Sequence, residues 1–310
     1  MARDDVVRYL KRYAALQDLR VRLSLSVNYV RRGGSGWQIE TSDGVVHADA
    51  VVIATGFNND PVMPEWPGVA DFSGELIHSS LYRNGHPYGG KDMLVVGAGN
   101  SGAEIAVDLV ESGARKVWLS IRTGPNIMRR DIAGFPAQAL GVVTARLPVP
   151  VVDKISGVTQ RLTVGDLSGY GMPRPSRGLY SRVRHDERIP ILDVGLISAL
   201  KRGEVEGVAA VAGFEGAEVF LADGARLAPD AVIAATGFRR NLGGLVGHLD
   251  VLDVKGNPKF HGGATNPDTP GLFFTGYSNP LSGNLRALGI DARRIARRIT
   301  AGARAQGIDL

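Results

Sequence analysis

The stretch from Leu94 to Ile121 constrains this chain more than any other. Leu94-Val95-Val96 is a short apolar run of the kind a buried parallel strand uses. Gly97-Ala98-Gly99-Asn100-Ser101-Gly102 follows without a gap, Ala103 to Val110 reads as a helix, and Val117 to Ile121 reads as the next strand. Strand, glycine-rich turn, helix and strand in that order form the context in which G-x-G-x-x-G signifies a dinucleotide site. Gly97 permits a tight turn, Gly99 lets the backbone approach a pyrophosphate, and Gly102 lets helix and strand pack closely. The helix start offers free N–H groups and partial positive charge to the phosphates, so residues 97–102 are expected to bind the cofactor.

The end of the second strand selects which cofactor. An NAD site places Asp or Glu about 20 residues on, where it accepts from the ribose 2′-OH. Here Val117-Trp118-Leu119-Ser120-Ile121-Arg122-Thr123 contains no acid. Ser120 stands near that place and Arg122 follows. An Arg there suits a 2′-phosphate, so NADP(H) is expected over NAD, with Arg122 as its main contact and Ser120 a lesser one.

Composition excludes several other classes. With 310 residues, of which 44% are hydrophobic, the chain is long enough for two domains and a sizeable core. It has no run of about 18 apolar residues, so no membrane span is expected. The opening MARDDVVRYLKRY lacks an apolar signal core, and a cytoplasmic location is expected. The chain has no cysteine, which rules out a disulfide framework, a thiolate metal site and a redox dithiol. Net charge is +5, from 36 basic and 31 acidic residues. Part of the excess lies at Arg293, Arg294, Arg297 and Arg298, read as a solvated helix face. No basic stripe with interleaved aromatics points to nucleic acid. His185 and His261 read as surface or loop residues, without metal-ligand spacing around them.

From the N-terminus, Val6, Tyr9, Leu10, Tyr13 and Leu16 recur at helical spacing and predict an amphipathic helix. Leu19 to Val27 alternates without a break and predicts a half-buried strand. Trp37 to Thr41 is a second strand, Asp43-Gly44 a hairpin turn, and Ala50 to Phe57 a buried strand closing on Ala-Thr-Gly. The pattern returns at Val211–Phe214, Ala217–Leu221, Asp223-Gly224 and Ala231–Phe238, again closing on Ala-Thr-Gly-Phe. Such an internal repeat is evidence about architecture. Small residues at Thr55-Gly56 and Thr236-Gly237 allow close approach of backbone or ligand. Between Thr123 and Pro190 lies an insert punctuated by Gly and Pro. Its Phe135 to Leu147 stretch is apolar enough to face a core, an entrance or a membrane surface, with core the default.

The repeat is unequal. The Ala231–Phe238 strand has a G-x-G-x-x-G ahead of it, whereas the 49 residues before the Ala50 strand hold only a helix and a meander.

Phe72, Gly74, His78 and Tyr82 form F-x-G-x-x-x-H-x-x-x-Y just before the glycine loop. With the loop and the repeat, this resembles the class B flavin-dependent monooxygenases of the flavin-containing monooxygenase type, including the plant indole-pyruvate monooxygenase branch. The likeness runs from about residue 5 to 300. Tyr82-Arg83 fits this branch better than the Baeyer–Villiger branch, which favours Trp-Pro there, and the lack of cysteine argues against disulfide reductases. The Leu272–Tyr277 strand, Ser278-Asn279-Pro280 and a helix beginning at Ser282-Gly283-Asn284-Leu285 resemble the family's flavin-facing end. There Tyr277, Asn279, Asn284 and Leu285 join Thr55, Gly56, Thr236 and Gly237 as expected cofactor contacts.

The resemblance implies an α/β fold in which a Rossmann-like NADP-binding domain (90–232) is nested in a partial FAD-binding domain (1–89 and 233–310) of the two-dinucleotide-binding flavoprotein type. It also implies that NADPH reduces FAD by hydride transfer and that O₂ supplies one oxygen to a small-molecule substrate. His78 reads as a linker histidine rather than a catalytic one. Because the first glycine loop is missing, FAD is expected to bind only if that unit is supplied, and self-association through the uncovered face is expected. A second hypothesis is a noncatalytic NADP-binding protein that has lost its flavin site.

Overall fold

The computed structural model describes residues 3–34, 36–129, 131–132, 135–136, 147–186, 188–278 and 283–305. Most of the apolar Phe135 to Leu147 stretch therefore lies outside the described residues. The chain divides into two compact units: Met1–Ile53 with Asn241–Phe274 and Ile295–Leu310, and Ala54–Arg240 with Thr275–Arg294.

The larger unit is built on a five-stranded, all-parallel sheet. Its strands run in the spatial order Val205–Val208, Lys116–Ser120, Asp92–Val96, Ala231–Ala234, Glu75–His78. Parallel sheets are covered on both faces, and this one is. The Asn100–Glu111 and Leu196–Arg202 helices bury Ala103, Ala106, Leu109, Leu196 and Leu200 against Met93, Val95, Leu119 and Ile233. On the other face Leu94, Trp118 and Val232 meet Phe214 and Val219 of an antiparallel meander, Val211–Glu215, Glu218–Leu221 and Arg226–Leu227. The continuous apolar run Leu94-Val95-Val96 is thus apolar because alternate residues face different layers, both dry.

The smaller unit repeats part of this plan. Its meander is Val27–Gly33, Gly36–Thr41 and Gly44–Ala48, and its parallel element is the pair Val51–Ile53 and Leu272–Phe274. The repeated sequence therefore yields unequal sheets. Ile233 is completely buried, whereas its counterpart Val52 is 41% exposed.

Two expectations for the N-terminus change. The amphipathic helix forms over Arg3–Leu16, but Tyr9, Leu10, Tyr13 and Leu16 are exposed. The strand expected over Leu19–Val27 does not form before Val27. Asp18 and Ser24 adopt left-handed φ values of 47° and 55°, which interrupt an extended run, and Leu23 is 83% exposed. Alternation stabilises a strand only where a neighbouring strand accepts its hydrogen bonds and a second layer covers one face. Between Leu19 and Leu25 no described strand pairs with this segment, and Leu19, Val21 and Leu23 are exposed.

Trp37 centres the smaller unit. It is 1% exposed, and its Nε1–H donates to the Pro270 carbonyl at 3.2 Å. Trp37→Ala is expected to cost about 3–5 kcal/mol. Trp37→Phe keeps most of the volume and loses the hydrogen bond, about 1 kcal/mol. Denaturant unfolding of both variants checks the order.

Candidate functional site: a dinucleotide loop and its supports

The three glycines of the loop are required for three different reasons. Gly97 has φ 114°, and a Cβ there would lie 2.5 Å from the Ala235 carbonyl oxygen. At Gly102 a Cβ would lie 1.9 Å from the Gly97 carbonyl oxygen, so the helix and the turn touch backbone to backbone. At Gly99 a Cβ would meet nothing within 4 Å. Two glycines are therefore closed by the fold, and the middle one faces open space.

Gly99 is also the N-cap of the Asn100–Glu111 helix, and no side chain caps it. The first-turn N–H groups have no helical acceptor, and they sit at the positive end of the helix dipole. Backbone donors beside open space are what an anionic pyrophosphate requires. The loop is anchored by Gly97 N–H donating to the Ser120 carbonyl at 3.0 Å and by Ala235 N–H donating to the Val96 carbonyl at 2.9 Å.

The structure distributes the other expected residues unevenly. Ala98 packs on the core, and Ser101 is exposed at the helix start. Asn100 Nδ2 donates to the Pro190 carbonyl at 3.1 Å, and its Oδ1 accepts from Leu192 N–H at 2.8 Å. Its side chain therefore ties down a neighbouring segment. Ser120 is buried, and its hydroxyl donates to the Ala209 carbonyl at 2.9 Å. Its proton is thus engaged on the adjacent strand end. Arg122 is exposed.

The Phe72, Gly74, His78, Tyr82 motif is resolved into four braces. Phe72 lies edge-on to Phe214 of the meander with ring centroids 5.0 Å apart. A Cβ at Gly74 would come 2.5 Å from the Phe72 ring and 3.1 Å from the Asp230 carbonyl oxygen. His78 is buried, and its Nδ1 accepts the Ser80 backbone N–H at 3.1 Å. A backbone N–H only donates and a carbonyl only accepts, so the other nitrogen is protonated and donates to the Gly237 carbonyl at 3.0 Å. Tyr82 donates to Asp108 on the loop helix at 2.5 Å. Burial, then the hydrogen bond to Asp108, pushes the Tyr82 phenol well above its ordinary range.

Both Ala-Thr-Gly ends turn through a glycine with positive φ, 73° at Gly56 and 88° at Gly237, and at both a Cβ would meet open space. Their threonines differ. Thr236 donates to the Val62 carbonyl. Thr55 meets the buried Tyr277, whose hydroxyl accepts the Thr55 N–H at 3.2 Å and lies 2.7 Å from Thr55 Oγ1. Burial raises the Tyr277 phenol. The Asn284–Ala305 helix begins within the expected 282–285 segment, with Asn284 and Leu285 exposed. Thr275 Oγ1 donates to Asp291 of that helix at 3.4 Å, and a Cβ at Gly276 would sit 3.5 Å from Leu288. Asn279 lies outside the described residues. No cluster of metal ligands occurs among the described residues, nor a helix long and apolar enough to cross a membrane.

Gly102→Ala is expected to destabilise the fold by about 1–3 kcal/mol, because the helix must separate from the turn. Tyr82→Phe is expected to cost about 1.5–3 kcal/mol for a hydrogen bond to a charged group. Thermal and denaturant unfolding check both.

Comparison with known proteins agrees with this geometry. Residues 1–131 match the family described as pyridine nucleotide-disulphide oxidoreductase. The probable indole-3-pyruvate monooxygenase YUCCA9 of Arabidopsis thaliana is 32% identical over 299 residues, covering 94% of this chain and 70% of that protein. The probable indole-3-pyruvate monooxygenase YUCCA7 of the same plant is 34% identical over 270 residues, covering 81% of this chain and 62% of that protein. A solved flavin-containing monooxygenase from Stenotrophomonas maltophilia shares the fold with a TM-score of 0.66 at 24% identity, over 98% of this chain and 78% of that one. By sequence, fold and motif, the chain belongs to the class B flavin-dependent monooxygenases.

Proposed function

We propose that this chain is an FAD- and NADPH-dependent monooxygenase-like oxidoreductase, acting on a small-molecule substrate with O₂. The observation that carries the reading is the glycine loop: two glycines closed by the fold, and a third facing open space at an uncapped helix start. Residues 97–102 would hold the pyrophosphate of NADP(H), with Arg122 at the 2′-phosphate. Thr55, Gly56 and Tyr277 fit the edge of a flavin site, because Gly56 leaves space and Tyr277 fixes the turn beside it. NADPH and FAD, when bound, would supply the redox chemistry directed at O₂.

The chain's own residues then bind, orient and exclude water. Asn100 and Ser120 hold backbone around the loop, and His78 holds the Gly237 turn through a neutral, fixed tautomer. His78 acts as a positioning residue, since both ring nitrogens are engaged by the protein. The nested arrangement, with 90–232 as the NADP domain, goes with this reading, as does a cytoplasmic location.

Titration of the purified chain with NADPH and NADH tests the proposal, followed by addition of FAD and measurement of bound flavin and NADPH consumption. Arg122→Ala is expected to weaken NADPH by about 1.5–3 kcal/mol and NADH little. Equal loss for both nucleotides removes Arg122 from the 2′-phosphate. Binding of NADPH with no flavin uptake favours the second reading, an NADP-binding protein without oxidative chemistry.

A further inference from the structure

Within the larger unit, the insert after the second strand encloses a cavity of about 730 Å³, lined from 125–127 and 153–179. That volume is in the range of small-molecule pockets. The 97–102 loop and Arg122 are not part of its lining. Its floor is apolar: Ile127, Val164, Leu167, Met172 and Leu179 are each at most 5% exposed. The two carboxylates in its wall are engaged by the protein. Asp153 accepts the Tyr180 and Ser181 N–H groups and the Ser181 hydroxyl at the start of the Leu179–Asp186 helix. Asp166 accepts from Arg174 and from the Ser168 N–H.

Two other groups in the lining are not engaged in this way. Asn126 is 5% exposed, and its Nδ2 donates to the Arg177 carbonyl at 3.3 Å. Its Oδ1 accepts no hydrogen bond among the described residues. A buried amide oxygen without a donor is costly, so such a group marks a place where something else supplies one. Arg161, in the last turn of the Val149–Thr163 helix, is exposed and pairs with no carboxylate among the described residues. Three arginines against two aspartates leave the described lining net positive.

An apolar floor with one buried acceptor and a cation at the mouth is complementary to an apolar body that carries one N–H or O–H donor and an anionic end. Met172 favours an aromatic body, because a thioether packs well against a ring. We propose that this cavity binds a small aromatic carboxylate bearing a hydrogen-bond donor, at a site separate from the dinucleotide loop. The donor meets Asn126 Oδ1, the ring covers the apolar floor, and the carboxylate meets Arg161. The site goes beyond the monooxygenase reading and does not depend on it.

Calorimetric titration of the full chain tests this with three probes. 4-Hydroxyphenylacetate has ring, donor and charge, phenylacetate lacks the donor, and 4-hydroxyphenylethanol lacks the charge. The first is expected to bind, phenylacetate several-fold more weakly, and the alcohol about tenfold more weakly. Arg161→Gln is expected to weaken 4-hydroxyphenylacetate about tenfold and to leave the alcohol unchanged. Asn126→Ala is expected to erase the preference for 4-hydroxyphenylacetate over phenylacetate. If that variant unfolds, Arg161→Gln still decides, since Arg161 is exposed. Saturating NADPH is expected to leave the affinity for 4-hydroxyphenylacetate unchanged. No binding at millimolar concentration, equal binding of all three probes, binding insensitive to Arg161→Gln, or displacement by NADPH overturns the proposal. A chain that takes up the probe but no NADPH leaves this site standing and removes the dinucleotide reading alone.

Discussion

The backbone at Gly102 lies against the carbonyl of Gly97, and the backbone at Gly97 against that of Ala235, so that neither position has room for a Cβ. This contact brings the first strand, the helix and the neighbouring strand end to one point. It sets how far the helix start projects beyond the sheet, and hence where its unpaired N–H groups lie. Gly99, between the two closed glycines, owes its open space to them. Three elements that meet through backbone alone leave little slack, since close-packed interiors relax only partly around added atoms.

Around that point the Phe72 to Tyr82 stretch works as a brace rather than as chemistry. Its four marked residues reach the meander, the Asp230 carbonyl, the Gly237 turn and the loop helix in turn. Every contact is made within the unit that holds the glycine loop. A spacing of four between His78 and Tyr82 suits a segment that leaves a strand at His78 and turns back over the helix carrying Asp108.

Much of this was legible in the sequence because short-range physics dictated it. Apolar runs bounded by glycines marked the strands of the parallel sheet, and the different roles of the three loop glycines followed from the order strand, turn, helix. What stayed hidden depended on partners far along the chain. Nothing local to Ser120 shows that the Ala209 carbonyl will accept its proton. Nothing near Asn100 in the sequence shows that residues 190–192 fold back onto its side chain from ninety residues away. Leu19 to Val27 alternated like a strand, and no described strand pairs with it before Val27. Arg182 and Arg188 sat in an insert without periodicity, where only the fold reveals that they meet Thr123.

The order of strands in the large sheet also has a consequence during synthesis. Glu75–His78 is bonded in that sheet to Ala231–Ala234, which inserts between it and Asp92–Val96. The ribosome therefore delivers both neighbours long before the strand that joins them. At roughly 5–20 residues per second, that interval lasts about 8–30 seconds. Throughout it, Leu76, Ile77 and the edge of Asp92–Val96 lack their final partner, and unpaired edges of this kind recruit other chains. The edge therefore stays without its final partner until residue 234 has left the exit tunnel.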